Sequence, residues 1–171
     1  MSYYDDKNNL PRGHMKYVCL FDTETTGYAS FSDDPSFDAN TTDEYQIISI
    51  GMLVLNAQTL AIVDKLYVEI KWNGVSKWTK QAEAIHGLSL DYLEANGVDE
   101  ADAVLEIGSL ILKYWGPESP ITVAGHNVAF DLAFLKRLMR SQDIELKFSN
   151  RVIDTNTLGL IMFQVYNSDD L

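Results

Sequence analysis

The chain has 171 residues, with 25 Asp plus Glu against 13 Lys plus Arg and a formal net charge of −12. Apolar residues make up 46% and charged residues 22%, a balance that fits a folded globular domain and not a disordered chain. The acidic excess excludes a protein that coats nucleic acid by bulk electrostatics. It leaves room for an enzyme that meets nucleic acid through bound metal ions.

A chain this long buries roughly 70% of the surface its unfolded form exposes, enough for one core without staples. The single cysteine, Cys19, excludes an internal disulfide framework and fits a reducing compartment. The expected address is the cytoplasm, of a bacterium or of a cell carrying a virus. No run nears about eighteen apolar residues, so no membrane span is expected. The start of the chain lacks the apolar run of a signal peptide. Residues 1–15 read as a flexible tail and 16–171 as one domain.

Tyr17-Val18-Cys19-Leu20-Phe21 is a short apolar run, read as a central strand buried on both faces. It ends in Asp22-Thr23-Glu24-Thr25-Thr26-Gly27. Residues 28–45 are polar and aperiodic and read as a long loop. Residues 46–55 are strand-like, and Asn56-Ala57-Gln58-Thr59 is a turn. Over 64–71, Leu66, Val68 and Ile70 alternate with Lys65, Tyr67, Glu69 and Lys71, the pattern of a strand with one wet face.

Helical spacing then takes over. Residues 79–86 form a short helix closed by Gly87. Residues 99–115 form a longer one, with Val104, Ile107, Ile111 and Trp115 on a stripe that Gly116-Pro117 stops. Residues 121–124 are a strand leading into Gly125-His126-Asn127. Residues 128–141 are a helix with Leu132, Leu135 and Met139 on one stripe. Residues 151–154 are a last strand, after which another helix begins at Thr155. This order predicts an α/β fold: an antiparallel three-strand meander continued by parallel strands, with helices on both faces. Ligand chemistry in such sheets gathers at the carboxyl ends of central strands.

Asp22 and Glu24 stand two apart at such an end, so both carboxylates project to one side of the strand. Two like charges this close need a cation between them. Hard ions such as Mg²⁺ or Mn²⁺ prefer these oxygen ligands. Asp131 falls in the first turn of its helix, where the dipole favours an ionised carboxylate. Its neighbours at i+3, i+4 and i+7 are Phe134, Leu135 and Leu138, which places an acid on an apolar face. That placement is costly unless the acid is paired or bound to metal.

Phe21-Asp22-Thr23-Glu24-Thr25-Thr26-Gly27 resembles the first exonuclease motif of the DEDD superfamily, and Gly125-His126-Asn127-Val128-Ala129-Phe130-Asp131 resembles the second. The resemblance is to the proofreading epsilon subunit of bacterial DNA polymerase and its RNase T-like relatives. Ala84-Ile85-His86-Gly87-Leu88 is similar to a segment those proteins carry between the two motifs, and Val152-Ile153-Asp154-Thr155 looks like the strand after the second.

The resemblance implies a ribonuclease H-like fold and 3′-to-5′ hydrolysis of single-stranded DNA or RNA ends by two Mg²⁺ or Mn²⁺ ions. A DNA polymerase subunit is a possible partner. Asp22 would bind both ions, Glu24 the ion carrying the attacking water, and Asp131 the second ion. Thr25 is a candidate substrate contact, and His126 is either one too or a turn histidine that hydrogen-bonds the backbone. Asn127 is likewise a candidate substrate contact, or else a residue that stabilises its turn. Asp154 is a candidate group that orients the site from behind. His86 reads as a structural helix-end residue.

The family carries a fourth acid, preceded in its helix by His or Tyr. No histidine follows Asp131. Tyr166 and Asp170 have the Tyr form's spacing but come too soon after Asp154. Residues 167–171 read better as the start of an intervening helix, with Ser168 as its N-cap. The chain is therefore expected to stop short of its third motif. The alternative function is an impaired module that binds a polymerase or a nucleic-acid end without cutting. Phe31, Phe37, Trp72 and Trp78 are loop aromatics that could stack on bases or pack on their own domain. Lys136, Arg137 and Arg140 form a basic helix face.

Overall fold

The computed structural model describes residues 15–27 and 44–168. In chain order the elements are β1 (Tyr17–Thr25), β2 (Ile47–Asn56), β3 (Ile62–Glu69), α1 (Lys80–His86), α2 (Leu90–Asn96), α3 (Glu100–Trp115), β4 (Ile121–Gly125), α4 (Val128–Arg140), β5 (Phe148–Asp154) and α5 (Thr155–Ser168). They form one five-stranded sheet in the order β3-β2-β1-β4-β5. β1, β2 and β3 pair antiparallel, while β1–β4 and β4–β5 pair parallel. This is the expected mixed α/β sheet of a ribonuclease H-like domain, with β1 at its centre.

Side-chain alternation gives β1 two unlike faces. Cys19, Phe21, Thr23 and Thr25 are buried, and the first two join a core with Ile50, Met52 and Val54 of β2. α3 and α4 close that side through Val104, Ile107, Ile111, Leu135 and Met139. Trp115 and Leu132, expected on the same stripes, are only partly buried against this core. Phe134 and Leu138 are fully part of it, so Asp131 does ride on the apolar face of α4. On the other side Leu20 is half-buried and Asp22 exposed. Burial on the second face is thus incomplete: Val18 is buried there, but Leu20 and Asp22 are not. Thr155, the first residue of α5, borders the second face.

Local chemistry explains the boundaries. The Thr79 hydroxyl caps α1 by accepting from the Ala82 N–H at 3.2 Å. Gly87 ends that helix at φ 72°, a left-handed conformation that glycine adopts without steric cost. α2 was not expected. Its seven residues are too few to show a period, but Ser89 caps it through the Tyr92 N–H. β5 begins three residues before the expected start, because Phe148 pairs with Ile121. α5 runs unbroken from Thr155 through Ser168, so Asn167 and Ser168 continue the helix that begins at Thr155. Among the described residues, no helix is long and apolar enough to cross a membrane. Cys19 is free and buried, and burial pushes its thiol up to about 12, which makes it unreactive.

Candidate active site

The first strand delivers two acids to the unsealed face. Pairing puts Asp22 opposite Gly51 on β2, and Gly51 opposite Tyr67 on β3. These three positions therefore form a row across the sheet, with no side chain in the middle of it. Asp22 is exposed and Glu24 half-buried. A cavity of about 230 Å³ is lined by both acids with Ser49, Gly51, Tyr67, His86 and Leu88. A larger groove, about 840 Å³, runs along the same face past Leu20, Asp22, Leu53, Lys65, His126 and Thr155.

Asp131 reaches the same region from α4. It is 4% exposed, and its Oδ1 accepts two bonds from Thr23, from the backbone N–H at 3.0 Å and from the hydroxyl at 2.6 Å. Burial raises the Asp131 carboxyl, the Thr23 hydroxyl pulls it down, and the charge of Asp22 raises it; the net shift is upward. Glu24 also lies above its ordinary value, through burial and then through the charges of Asp22 and Asp131. Glu24 and Asp131 thus both feel the charge of Asp22. Among the described residues, however, no three His, Cys, Asp or Glu side chains stand together as a ready-made cage. The donor set is all oxygen and mutually repelling, which fits a hard divalent cation.

The turn into α4 is braced from β5. Asn127 takes a left-handed conformation, φ 56° and ψ 42°, which Asn tolerates better than most residues. Asp154 Oδ1 accepts from the Asn127 N–H at 3.0 Å and from the Asn156 N–H at 2.9 Å. Desolvation pushes the Asp154 carboxyl up, but the backbone N–H groups around it outweigh this and hold it low. Asp154 therefore braces the turn that carries Asn127. His126 is exposed, with Nδ1 3.2 Å from the Thr155 hydroxyl, and faces the groove beside Asp22. Gly125 is obligatory for spacing: a Cβ there would lie 2.9 Å from Val128 Cγ2 and 3.0 Å from the Phe21 carbonyl.

Other expectations resolve differently. Thr25 is buried, and its hydroxyl donates to the Gly27 carbonyl at 2.9 Å. Its side chain thus braces the turn that follows β1. Trp72 and Trp78 meet edge to face at 6.4 Å, and their indole N–H groups bond the Ser76 carbonyl and Glu83. They pack on their own loop. Lys136 lies over the Phe148 ring and Arg137 donates to the Tyr45 carbonyl, so two of the three basic residues tie α4 to its surroundings. Tyr166 belongs to α5. Asp170, residues 1–14, Phe31 and Phe37 lie outside the described residues.

His86 was read as structural. Its Nδ1 does accept from the Leu88 N–H at 3.0 Å, yet its Nε2 is buried with no hydrogen-bond partner among the described residues, and the residue borders the acid cavity. Burial lowers its pKa. Tyr67 was read only as the wet side of β3. The signal that it neighbours Asp22 was the register through Gly51, which period-two alternation alone does not supply.

No protein-family model matches the chain, and no curated protein matches it. Solved structures do. Escherichia coli exonuclease I in complex with a dT13 oligonucleotide superposes with a TM-score of 0.63 at 14% identity, over 82% of this chain and 28% of that one. The zinc-bound form of the E. coli exonuclease I complex with single-stranded DNA gives 0.62 at 14%, over 82% and 28%. A moderately thermophilic exonuclease I from Methylocaldum szegediense gives 0.62 at 16%, over 82% and 28%. The chain therefore has the fold found in part of these exonucleases, and it spans less than a third of their length.

Proposed function

We propose that this chain is a metal-dependent 3′–5′ exonuclease domain acting on single-stranded DNA ends. The observation that carries the reading is the position of Asp22, Glu24 and Asp131. Asp22 and Glu24 lie near the end of the central strand and Asp131 approaches it from α4; the charges of Asp22 and Asp131 raise Glu24 and that of Asp22 raises Asp131, a repulsion that a bound cation relieves. The motif resemblance supplies the direction of cleavage. The fold's likeness to exonuclease I bound to single-stranded DNA favours DNA over RNA.

In this reading Asp22 and Glu24 hold cations on the open face and Asp131 completes the set from α4. Mg²⁺ or Mn²⁺, when bound, supplies an activated water and neutralises charge on the scissile phosphate. Asp22, the most exposed of the three, meets the incoming strand. Asp154 and Asn127 hold the turn that aims His126 toward the groove, where it contacts the terminal phosphate or sugar.

The experiment is degradation of a 5′-labelled single-stranded DNA oligonucleotide, and its RNA counterpart, with Mg²⁺ or Mn²⁺. The expected result is a ladder shortening from the 3′ end, abolished by EDTA and by Asp22→Ala. The second reading is a module of this fold that grips a 3′ end without cutting, and it rests on the unmatched third motif. Retention of the labelled strand with no shortening would select it.

A further inference from the structure

We infer that Thr23 is a positioning residue for the metal ligand Asp131, holding one carboxylate oxygen so that the other is presented to a cation. The inference rests on the metal-site reading above and adds a residue that neither motif nor fold assigns. Thr23 lies between the two acids of β1 yet points the opposite way, into the helix-covered side, where it is buried. Its backbone N–H and its hydroxyl both end on the same atom, Asp131 Oδ1, at 3.0 and 2.6 Å.

Two donors on one oxygen do more than tether a helix. They fix the rotation of the carboxylate and saturate Oδ1, so Asp131 serves as a ligand through Oδ2 alone. They also couple the two halves of the site. Asp22 and Glu24 are the chain neighbours of Thr23, so any shift of β1 moves all three acids together. A side chain that only bridged β1 and α4 would not need both donors on one oxygen of a residue that Asp22 repels. Outer partners of this kind commonly govern metal affinity by tenfold or more.

The test is Mn²⁺ binding followed by the loss of the free-ion electron paramagnetic resonance signal, with a thermal melt on each sample. Thr23→Val keeps shape and the backbone donor but removes the hydroxyl. The expected result is about a tenfold weaker Mn²⁺ affinity in folded protein, while Thr23→Ser stays within about twofold of the parent because its hydroxyl reaches the same oxygen. Equal affinity in the parent and in Thr23→Val, whatever the melting temperature, overturns the role of Thr23 and leaves the metal site standing. No Mn²⁺ binding by the parent protein overturns both. If Thr23→Val does not fold, the Ser variant decides: a tenfold loss with Ser, in folded protein, contradicts the hydroxyl's role.

Discussion

On one face of β1, Cys19, Phe21 and Thr23 lie under α3 and α4 and are sealed from water. On the other, Leu20 lines an open groove, Asp22 is exposed, and Tyr67 two strands away is 62% exposed. From Cys19 to Glu24 the odd positions are buried, while Leu20, Asp22 and Glu24 stay partly or fully exposed. Charge follows the division. The sealed face admits one carboxylate, Asp131, and only with two donors on it. The open face carries Asp22 and Glu24 with no Lys or Arg ion pair among the described residues. Stability is concentrated on one side of the strand and function on the other.

The largest effect that sharpens this contrast is a matched pair of truncations. Leu135→Ala, on the sealed face, is expected to cost about 3–5 kcal/mol, because the cavity cannot collapse. Leu53→Ala, on the open groove, is expected to cost about 1 kcal/mol or less, since Leu53 gives up far less buried area. Urea unfolding of both variants measures the gap, and equal costs would break the two-face account.

Next comes the seam between the faces. Gly125→Ala places a methyl against Val128 and the Phe21 carbonyl and is expected to cost about 1–3 kcal/mol. It also displaces His126, so nuclease activity should fall more than the unfolding midpoint suggests. Asp154→Ala removes the acceptor for the Asn127 and Asn156 N–H groups. A small loss of stability is expected, smaller than that of Gly125→Ala, with faster amide exchange at Asn127 as the local readout.

The smallest shift is the most diagnostic. Glu24 and Asp131 have folded-state pKa values above their ordinary ones. A raised carboxyl contributes stability that is present below its unfolded pKa and lost as pH climbs through the folded value. Metal-free protein should therefore lose stability on passing upward out of the carboxylate range. Asp131→Asn still accepts from Thr23 but carries no charge. Its metal-free Tm at neutral pH should rise by a few degrees, and added Mg²⁺ should stabilise it less than the parent. A melt series across pH, with and without Mg²⁺, checks both signs.

Much of this was legible in the residues. The meander, the parallel strands and the apolar surroundings of Asp131 followed from periodicity, because 2.0 and 3.6 spacings report burial directly. The acid pair followed from two carboxylates at i and i+2 where a buried strand ends. The place of Thr25 in a motif did not show that its side chain is buried and bonds the Gly27 carbonyl. Thr23 and Tyr67 were missed for a related reason: their importance lies in contacts across strands and between β1 and α4, 108 residues apart in the case of Thr23 and Asp131. α2 was too short to show a period, and the end of α5 too uniform to show where it stops.

The central claim is that Asp22, Glu24 and Asp131 together hold divalent cations. The most direct measurement is an anomalous-scattering map from crystals soaked in Mn²⁺ with a deoxynucleoside monophosphate. The account predicts a peak within about 2.0–2.4 Å of oxygens from Asp22 and at least one of the other two acids, with the phosphate against it. A soaked crystal with no peak there, or with Mn²⁺ bound only at other surface carboxylates, would contradict it.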